Sequence, residues 1–453
     1  MKYLKANIYH LIALFTIFII QFSILNSQDT WIRTYQPFGN DEHYEVEDIR
    51  ICPDGGYAVI GSIWNEWGDN RGFMMKTDSE GNLLWANIDI AGIPYTGFIV
   101  LEDGSFITAG SHYLQKRSPE GGIEWTQPLE YDFVVEAIEL TNDGNLITTG
   151  SSLDDTINLQ KFDLNGNLIW RGTYLPDEYE FGGGYSVTQT SDNGYAITGS
   201  VYGENNRDIL VIKTDENGDS LWTWTYDGYG SADKGNCIIN TFNDEILVCG
   251  RLRTTPYNDD GFLGKFDLLG NCLMNYHYEP WSFQSCLQDT DNNYILYSGY
   301  SLLKTNDSGD TLWYNSGEGT TVLGDRSFLK DNDFFVYINT IDYSSFIQIT
   351  KTDSVGQVTA VEDIELIISS KNYLICYPNP SKSIINFFIK DVNPVDVQID
   401  IYNVRGQLID TISGNDRIRS WNVKRYKSGV YFSRLVDKKT GRMQETKKIT
   451  IIK

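Results

Sequence analysis

Hydrophobic positions along this chain do not follow a helical period. Short apolar or alternating segments of strand length recur instead, each bounded by an Asp/Asn-Gly cluster. One unit, Asp54-Gly-Gly-Tyr-Ala-Val-Ile-Gly61-Ser62, returns from Asp103 to Ser111, from Asp143 to Ser151 and from Asp192 to Ser200. Weaker copies run from Asn243 to Gly250, Asp291 to Gly299 and Asp331 to Asn339. A second unit, Lys76-Thr-Asp-Ser-Glu-Gly81-Asn-Leu-Leu-Trp85, recurs at Lys116–Trp125, Lys161–Trp170 and Lys213–Trp222, and in degraded form at Lys265–Leu273, Lys304–Trp313 and Lys351–Val358. Each unit occurs seven times, at a spacing of roughly 40 to 50 residues.

Each unit reads as a β-hairpin. Asp/Asn-Gly turns join the apolar segments, and a Gly such as Gly81, Gly166 or Gly218 supplies the positive φ of a tight strand-to-strand turn. Two hairpins make a four-stranded unit that buries little surface alone, so stacking seven around an axis predicts a seven-bladed β-propeller over residues 28–361. An open solenoid is the alternative, and it would need polar capping repeats that neither end provides. Trp31-Ile-Arg-Thr-Tyr35 precedes the first repeat yet matches strands that end other repeats, such as Leu221-Trp-Thr-Trp-Thr-Tyr226. It is expected to close the ring by completing the last blade, with Gln357–Val361 competing for that place. The recurring Trp85, Trp125, Trp170, Trp222 and Trp313 are read as wedges between blades, and Asp78, Asp163, Asp215, Asp267 and Asp353 as acceptors for turn amides.

Composition agrees with an all-β chain: 453 residues carry 13% aromatics and 41 Gly. Charge divides it. Residues 28–369 hold 18 basic and 54 acidic side chains, net −36, whereas 370–453 hold 16 basic and 7 acidic, net +9. So acidic a main body repels phosphate backbones, and no nucleic-acid partner is expected. Past a linker at 362–372, the segments Val397–Tyr402, Gly429–Ser433 and Lys448–Ile452 predict a small immunoglobulin-like β-sandwich at 373–453. A carbohydrate-binding module of its own is the bland reading of such a terminal sandwich.

Two resemblances follow. Residues 28 to about 360 resemble secreted bacterial propellers whose repeats read Asp-Gly-Gly-Tyr, then Gly-Ser, then Lys-Thr-Asp with Gly and Trp; this implies an architecture and no particular activity. Residues 373–453 resemble the type A C-terminal sorting domain of the type IX secretion system. The resemblance rests on Tyr377-Pro378-Asn379-Pro380, Ile401-Tyr-Asn-Val-Arg-Gly406-Gln-Leu-Ile409, Ser428-Gly429-Val-Tyr431-Phe432 and the terminal Lys447–Lys453. It implies passage through the type IX translocon, removal of the domain by a sortase, and a product secreted from, or held on the outer-membrane surface of, a Gram-negative bacterium. Lys2, Lys5 and the apolar run Leu11–Phe22 have the layout of a signal peptide over residues 1–27.

The six cysteines miss the spacing of a structural zinc site, so no metal is expected and they read as small buried hydrophobes. Cys237 and Cys249 fall on adjacent antiparallel strands at matched distances from their turn, where an exported chain can bridge them. Catalytic signatures are thin: His43, His112 and His277 sit in no motif, and no nucleophile elbow or metal-binding helix is present. Gly182-Gly183-Gly184 reads as a flexible loop. A functional site is expected where the repeat breaks, on the face holding the loops between second and third strands and between blades. Its candidates are Trp64, Glu66, Trp67, Asp69, Asp177, Tyr179, Glu180, Asp233, Tyr257, Asp259 and Asp260. Aromatic faces stack on sugars or anchor proteins, so a non-enzymatic binder of an extracellular glycan or protein is expected. The alternative is a polysaccharide hydrolase or lyase using channel carboxylates as acid and base. No cofactor is expected, apart from a weak Ca²⁺ signature at Asp289-Thr-Asp291-Asn-Asn293, which lacks the turn Gly and distal Glu of a calcium loop.

Overall fold

The computed structural model describes residues 30–38, 43–64, 70–89, 94–129, 133–203, 206–228, 232–255, 258–279, 281–299, 301–316, 328–341, 346–358, 366–368, 374–377, 381–389, 393–439 and 443–452. The expected signal peptide lies outside them. Six sheets of four consecutive antiparallel strands span residues 43–88, 95–128, 133–174, 181–226, 234–278 and 285–316. A seventh combines Phe328–Asp331, Phe334–Ile341 and Phe346–Thr352 with Trp31–Gln36 from the other end of the chain. These are the seven blades. Leu366–Ile368 runs parallel to Trp31–Gln36 on its outer side. Gly182–Gly184, read from sequence as a loop, lies inside the strand Phe181–Gln189. A Cβ on Gly182 would crowd Ile157 and one on Gly184 would crowd Thr149, so small residues let blade four approach blade three.

The repeat has a physical explanation at three points. In blades one to five the first strand carries a bulge, and the Gly that ends the first unit (Gly61, Gly110, Gly150, Gly199 or Gly250) sits opposite it. There a Cβ on Gly61, Gly150, Gly199 or Gly250 would be driven into the carbonyl oxygen of Glu45, Val134, Gly183 or Lys234, so a side chain is excluded by backbone. The second point is the wedge. Trp85 pairs in register with Lys76, and its ring lies against Gly121 of the next blade; Trp125 meets Gly166, Trp170 meets Gly218 and Trp222 meets Gly270 in the same way. Each of these glycines has φ between 79° and 91°, so the turn that needs the left-handed backbone also needs the missing Cβ. In blade five Met274 takes the tryptophan's register position opposite Lys265. In blade seven Trp31 takes it, opposite Lys351, with its ring against Gly81 of blade one. The amino-terminal strand thus supplies both the missing strand and the missing wedge.

Third, in every blade but the second the lysine of the second unit binds a carboxylate in the turn of the first, Lys265 taking Glu245; in blade two Lys116 pairs with Glu124 instead. Lys161 Nζ lies 2.6 Å from Asp143, Lys213 2.9 Å from Asp192, Lys304 2.6 Å from Asp289 and Lys351 2.7 Å from Asp331; Lys76 pairs with Asp54 likewise. The aspartates expected to hold the second turn do so: Asp78 accepts from the Glu80 and Asn82 amides at 3.0 and 2.8 Å, and Asp163, Asp215, Asp267 and Asp353 repeat the pattern.

The C-terminal module has two facing sheets. One orders Leu374–Tyr377, Ile384–Ile389 and Ile418–Asn422; the other orders Leu408–Ile412, Val397–Asn403, Gly429–Asp437 and Met443–Ile451. Alternate residues fill its interior, among them Ile385, Phe387, Ile399, Ile401, Trp421 and Leu435, all at most 2% exposed. Among the described residues no helix is long and apolar enough to cross a membrane.

Candidate functional site

The first strands of the blades face the propeller axis. A cavity of about 240 Å³ there is lined by Asp48–Ile51, Glu139, Ser186, Cys237–Ile239, Ser285, Cys286, Phe328 and Leu329, one short stretch from each of six blades. Arg50 is its charged centre: it lies 3.1 Å from Asp48 of its own blade and 3.6 Å from Glu139 of blade three. Burial works against the guanidinium charge, and the two carboxylates outweigh it, so its pKa is raised. The two carboxylates that line this cavity are therefore joined to one cation.

Beside the cavity three thiols converge, two of them, Cys237 and Cys286, on its wall. Cys237 and Cys249 are register partners on adjacent strands of blade five, and Cys286 joins them from the first strand of blade six. The three sulfur atoms lie within 4.8 Å of one another, with Cys237 Sγ 3.8 Å from Cys286 Sγ. All six cysteines are thiols in the structure. Burial raises the Cys249 pKa, and the neighbouring Cys237 thiol raises that of Cys286.

The candidates on the loop face divide by environment. Trp64 is 41% exposed and stacks on His43 with ring centroids 4.3 Å apart. Asp177 and Glu180 are exposed, and the half-buried Tyr179 donates its hydroxyl to Asp208 at 2.7 Å. Asp233, by contrast, is wholly buried and accepts from the Gly228 and Arg253 amides, each at 2.8 Å, so it braces a loop. Asp259 is half-buried and paired with Arg253 at 2.9 Å, and Asp260 is only 5% exposed. Burial raises the pKa values of Asp208, Asp233 and Asp260, with nearby carboxylates adding to it. Glu66, Trp67, Asp69 and Tyr257 lie outside the described residues. At the calcium-like stretch, Asp289 is occupied by the Asp291 and Asn293 amides, both at 2.9 Å, and by Lys304.

Sequence reasoning places Tyr202 on this face but misses the partners that make it a platform on blade four. Phe181, 37% exposed, stacks on Tyr202 at 4.1 Å, and the Arg207 guanidinium lies 4.3 Å from the Tyr202 ring centre. Arg207 also donates to the Tyr185 hydroxyl at 3.0 Å, and Lys234 of blade five sits 4.1 Å from the Tyr185 ring centre. Rings and cations alternate here, with the exposed Asp177 and Glu180 beside them in sequence, and leave the Phe181 ring as a face on which a planar or ring-shaped ligand can stack. The signal in sequence was slight: Phe181 and Tyr202 flank loops, but only the register Phe181↔Tyr202 brings them face to face.

In the C-terminal module, Gly406 turns a hairpin at φ 75°, its amide donating to the Asn403 carbonyl at 2.9 Å. Gly429 opens a strand, and Tyr431 donates to the Lys427 carbonyl at 3.0 Å while its ring meets Trp421. Tyr377 ends the strand Leu374–Tyr377; Pro378, Asn379, Pro380 and Lys453 lie outside the described residues. Residues 375–453 match the family described as "Secretion system C-terminal sorting domain". The C-terminal module is a type IX sorting domain. That domain implies export through the type IX secretion system and a secreted or cell-surface protein.

No curated protein matches the chain. Among solved structures, PorZ of Porphyromonas gingivalis, an essential bacterial surface component of the type IX secretion system, is similar at 13% identity and a TM-score of 0.46, over 92% of this chain and 60% of PorZ. The chain thus spans less than two thirds of PorZ. The Neurospora crassa Pan2 WD40 domain is similar at 16% identity and a TM-score of 0.48, over 68% of this chain and 89% of that domain. Virginiamycin B lyase from Staphylococcus aureus is similar at 11% and 0.49, over 71% of this chain and 99% of the lyase. Likenesses this distant carry no argument about activity.

Proposed function

We propose that the chain is a cargo of the type IX secretion system whose propeller binds an extracellular glycan or protein without chemical turnover. The sorting domain at 375–453 is the observation that carries the export half of this reading. In it the amino-terminal segment 1–27 directs passage across the inner membrane, and the translocon reads the folded basic module. A sortase then cuts near the 362–372 linker and leaves the propeller at the outer-membrane surface or free. Deleting residues 370–453 tests this: the truncated protein is expected to accumulate in the periplasm, and undiminished surface delivery would refute it.

For recognition, the rings of blades one and four and the exposed Asp177 and Glu180 support binding: Trp64 stacks on His43, and Phe181 stacks on Tyr202, whose ring also faces Arg207. Stacked rings fit the apolar face of a sugar, while the carboxylates accept from hydroxyls or basic side chains. The commitment of Asp48 and Glu139 to one arginine supports binding over acid–base hydrolysis in the channel, because a general acid and base pair must act separately. A glycan array and a pull-down, each run with the wild type and the Phe181→Ala/Tyr202→Ala variant, test this half.

A further inference from the structure

The thiol cluster lies away from the loop face, and neither export nor ligand recognition uses it. Three cysteines from three strands, scattered over Cys237 to Cys286 in sequence, bring their sulfurs within 4.8 Å of one another. A metal–thiolate bond of ~2.3 Å requires sulfurs ~4.0 Å apart in a planar three-sulfur site, and somewhat less in a tetrahedral one. The Cys237–Cys286 separation of 3.8 Å meets that requirement without movement of either strand.

We propose that Cys237, Cys249 and Cys286 form a three-thiolate site for one soft metal ion of the Cu(I) or Zn(II) kind, clasping blade five to blade six. Thiolates select such ions over calcium or magnesium, whose preferred ligands are oxygens. The surroundings are largely apolar: Leu247, Leu263, Met274 and Phe283 share the same buried cluster, with the Ser285 hydroxyl 3.9 Å from Cys237 Sγ as a neutral neighbour. An entry path exists, because Cys237 and Cys286 also line the axial cavity. Loading forms metal–sulfur bonds and releases the thiol protons to solvent; no electron changes hands. The third sulfur is what separates this reading from a Cys237–Cys249 bridge. A disulfide uses two of the three and leaves the last buried with nothing to do, whereas a metal uses all of them.

The test uses the full-length chain, reduced and freed of metal under anaerobic conditions. Cu(I) and Zn(II) are each titrated against a competing chelator, and the loaded protein is studied by X-ray absorption. The expected result is one ion of at least one kind per chain, with three sulfur neighbours, and an upward shift in the urea midpoint on loading. Cys237→Ser and Cys286→Ser are expected to lower affinity at least tenfold, while Cys52→Ser, in another blade, leaves it unchanged. Should either variant fold poorly, the sulfur count on the wild type still decides. Failure of the reduced wild type to hold either ion, fewer than three sulfur neighbours, undiminished binding by the Cys286→Ser variant, or a disulfide among the three in the exported protein would each overturn the proposal.

Discussion

Lys213 and Asp192 form an ion pair whose two halves stand in different surroundings, and this asymmetry predicts unequal costs of removal. The lysine side chain has no exposed surface, whereas 39% of the aspartate's is exposed. Lys213 Nζ donates to both Asp192 oxygens, at 3.0 and 2.9 Å, and to the Thr214 carbonyl at 2.7 Å. Asp192 also accepts from Thr190 at 2.6 Å and from the Gly194 amide at 3.1 Å. Asp192→Asn keeps an acceptor for those turn bonds but strands a buried ammonium without its counter-charge. The expected loss is about 3 kcal/mol, the lower end for breaking a buried pair. Lys213→Met removes the buried charge, fills a similar volume and leaves the carboxylate beside water with its turn bonds intact; the expected loss is below about 1 kcal/mol. The double variant should match Lys213→Met, which implies a coupling of about 3 kcal/mol, the whole loss of Asp192→Asn.

Urea denaturation followed by tryptophan fluorescence measures all four proteins, with circular dichroism as a second probe of the same transition. Equal losses for the two single variants would refute the reasoning, because they would mean that the exposed partner bears as much of the pair's weight as the buried one. Acid supplies a further check. Burial alone would raise the Asp192 pKa, but the bonds from Lys213, Thr190 and Gly194 bring it below the ordinary value. A carboxyl depressed in the folded state stabilises above its unfolded pKa of ~3.9 and loses that contribution as pH falls through the folded value. The gap between wild type and Asp192→Asn should therefore hold from neutral pH to about pH 4–5 and close below it.

Other predictions follow from the same contacts. Trp31→Ala removes the wedge that closes the ring and should cost about 3 to 5 kcal/mol, against under about 1 for the exposed Trp64→Ala, both read by urea denaturation; equal effects would refute closure through Trp31. Gly199→Ala drives a Cβ into the Gly183 carbonyl and should cost more than about 1 kcal/mol, while alanine at Gly144, with open space around it, should lose less than Gly199→Ala despite its φ of 75°. Asp143→Asn should mirror Asp192→Asn in acid, since Lys161, Thr141 and Asn145 overcome burial to depress that carboxyl, and the gap to wild type closes as pH drops below ~4. Phe181→Ala should weaken binding to any ligand found on the glycan array at least tenfold, with the urea midpoint unchanged within about 0.5 kcal/mol; unchanged binding would remove blade four from the site.

What could be read from the sequence was what the fold needs in most of its blades. A Gly facing a bulge, a Gly under a neighbour's tryptophan and a turn aspartate each answer a local constraint, and repetition makes a local constraint visible. Ring closure was readable for the same reason: Trp31 fills, at the wrong end of the chain, a slot already defined by Trp85, Trp125, Trp170 and Trp222. Constraints met only once left no such trace. The run of glycines at 182–184 looked like a loop because its crowding partners, Ile157 and Thr149, belong to another blade.

The candidate site was harder because composition does not say where a carboxylate points. Asp177 and Asp233 occupy similar acidic loops, yet one is exposed and the other buried with both oxygens on backbone amides. Aromatics pose the same ambiguity, resolved for Phe181 and Tyr202 by strand register and for Trp64 by the ring of His43. The thiols are the extreme case: Cys237 and Cys249 are paired by a turn that sequence reveals, whereas Cys286 reaches them only because blade six is curved back against blade five around the axis. A ring fold turns distant residues into neighbours at its inner strands, where the circumference is smallest. Sites assembled from single residues of several blades are therefore to be sought around the channel, and sites made of whole loops on the rim, where each blade contributes surface independently of the next.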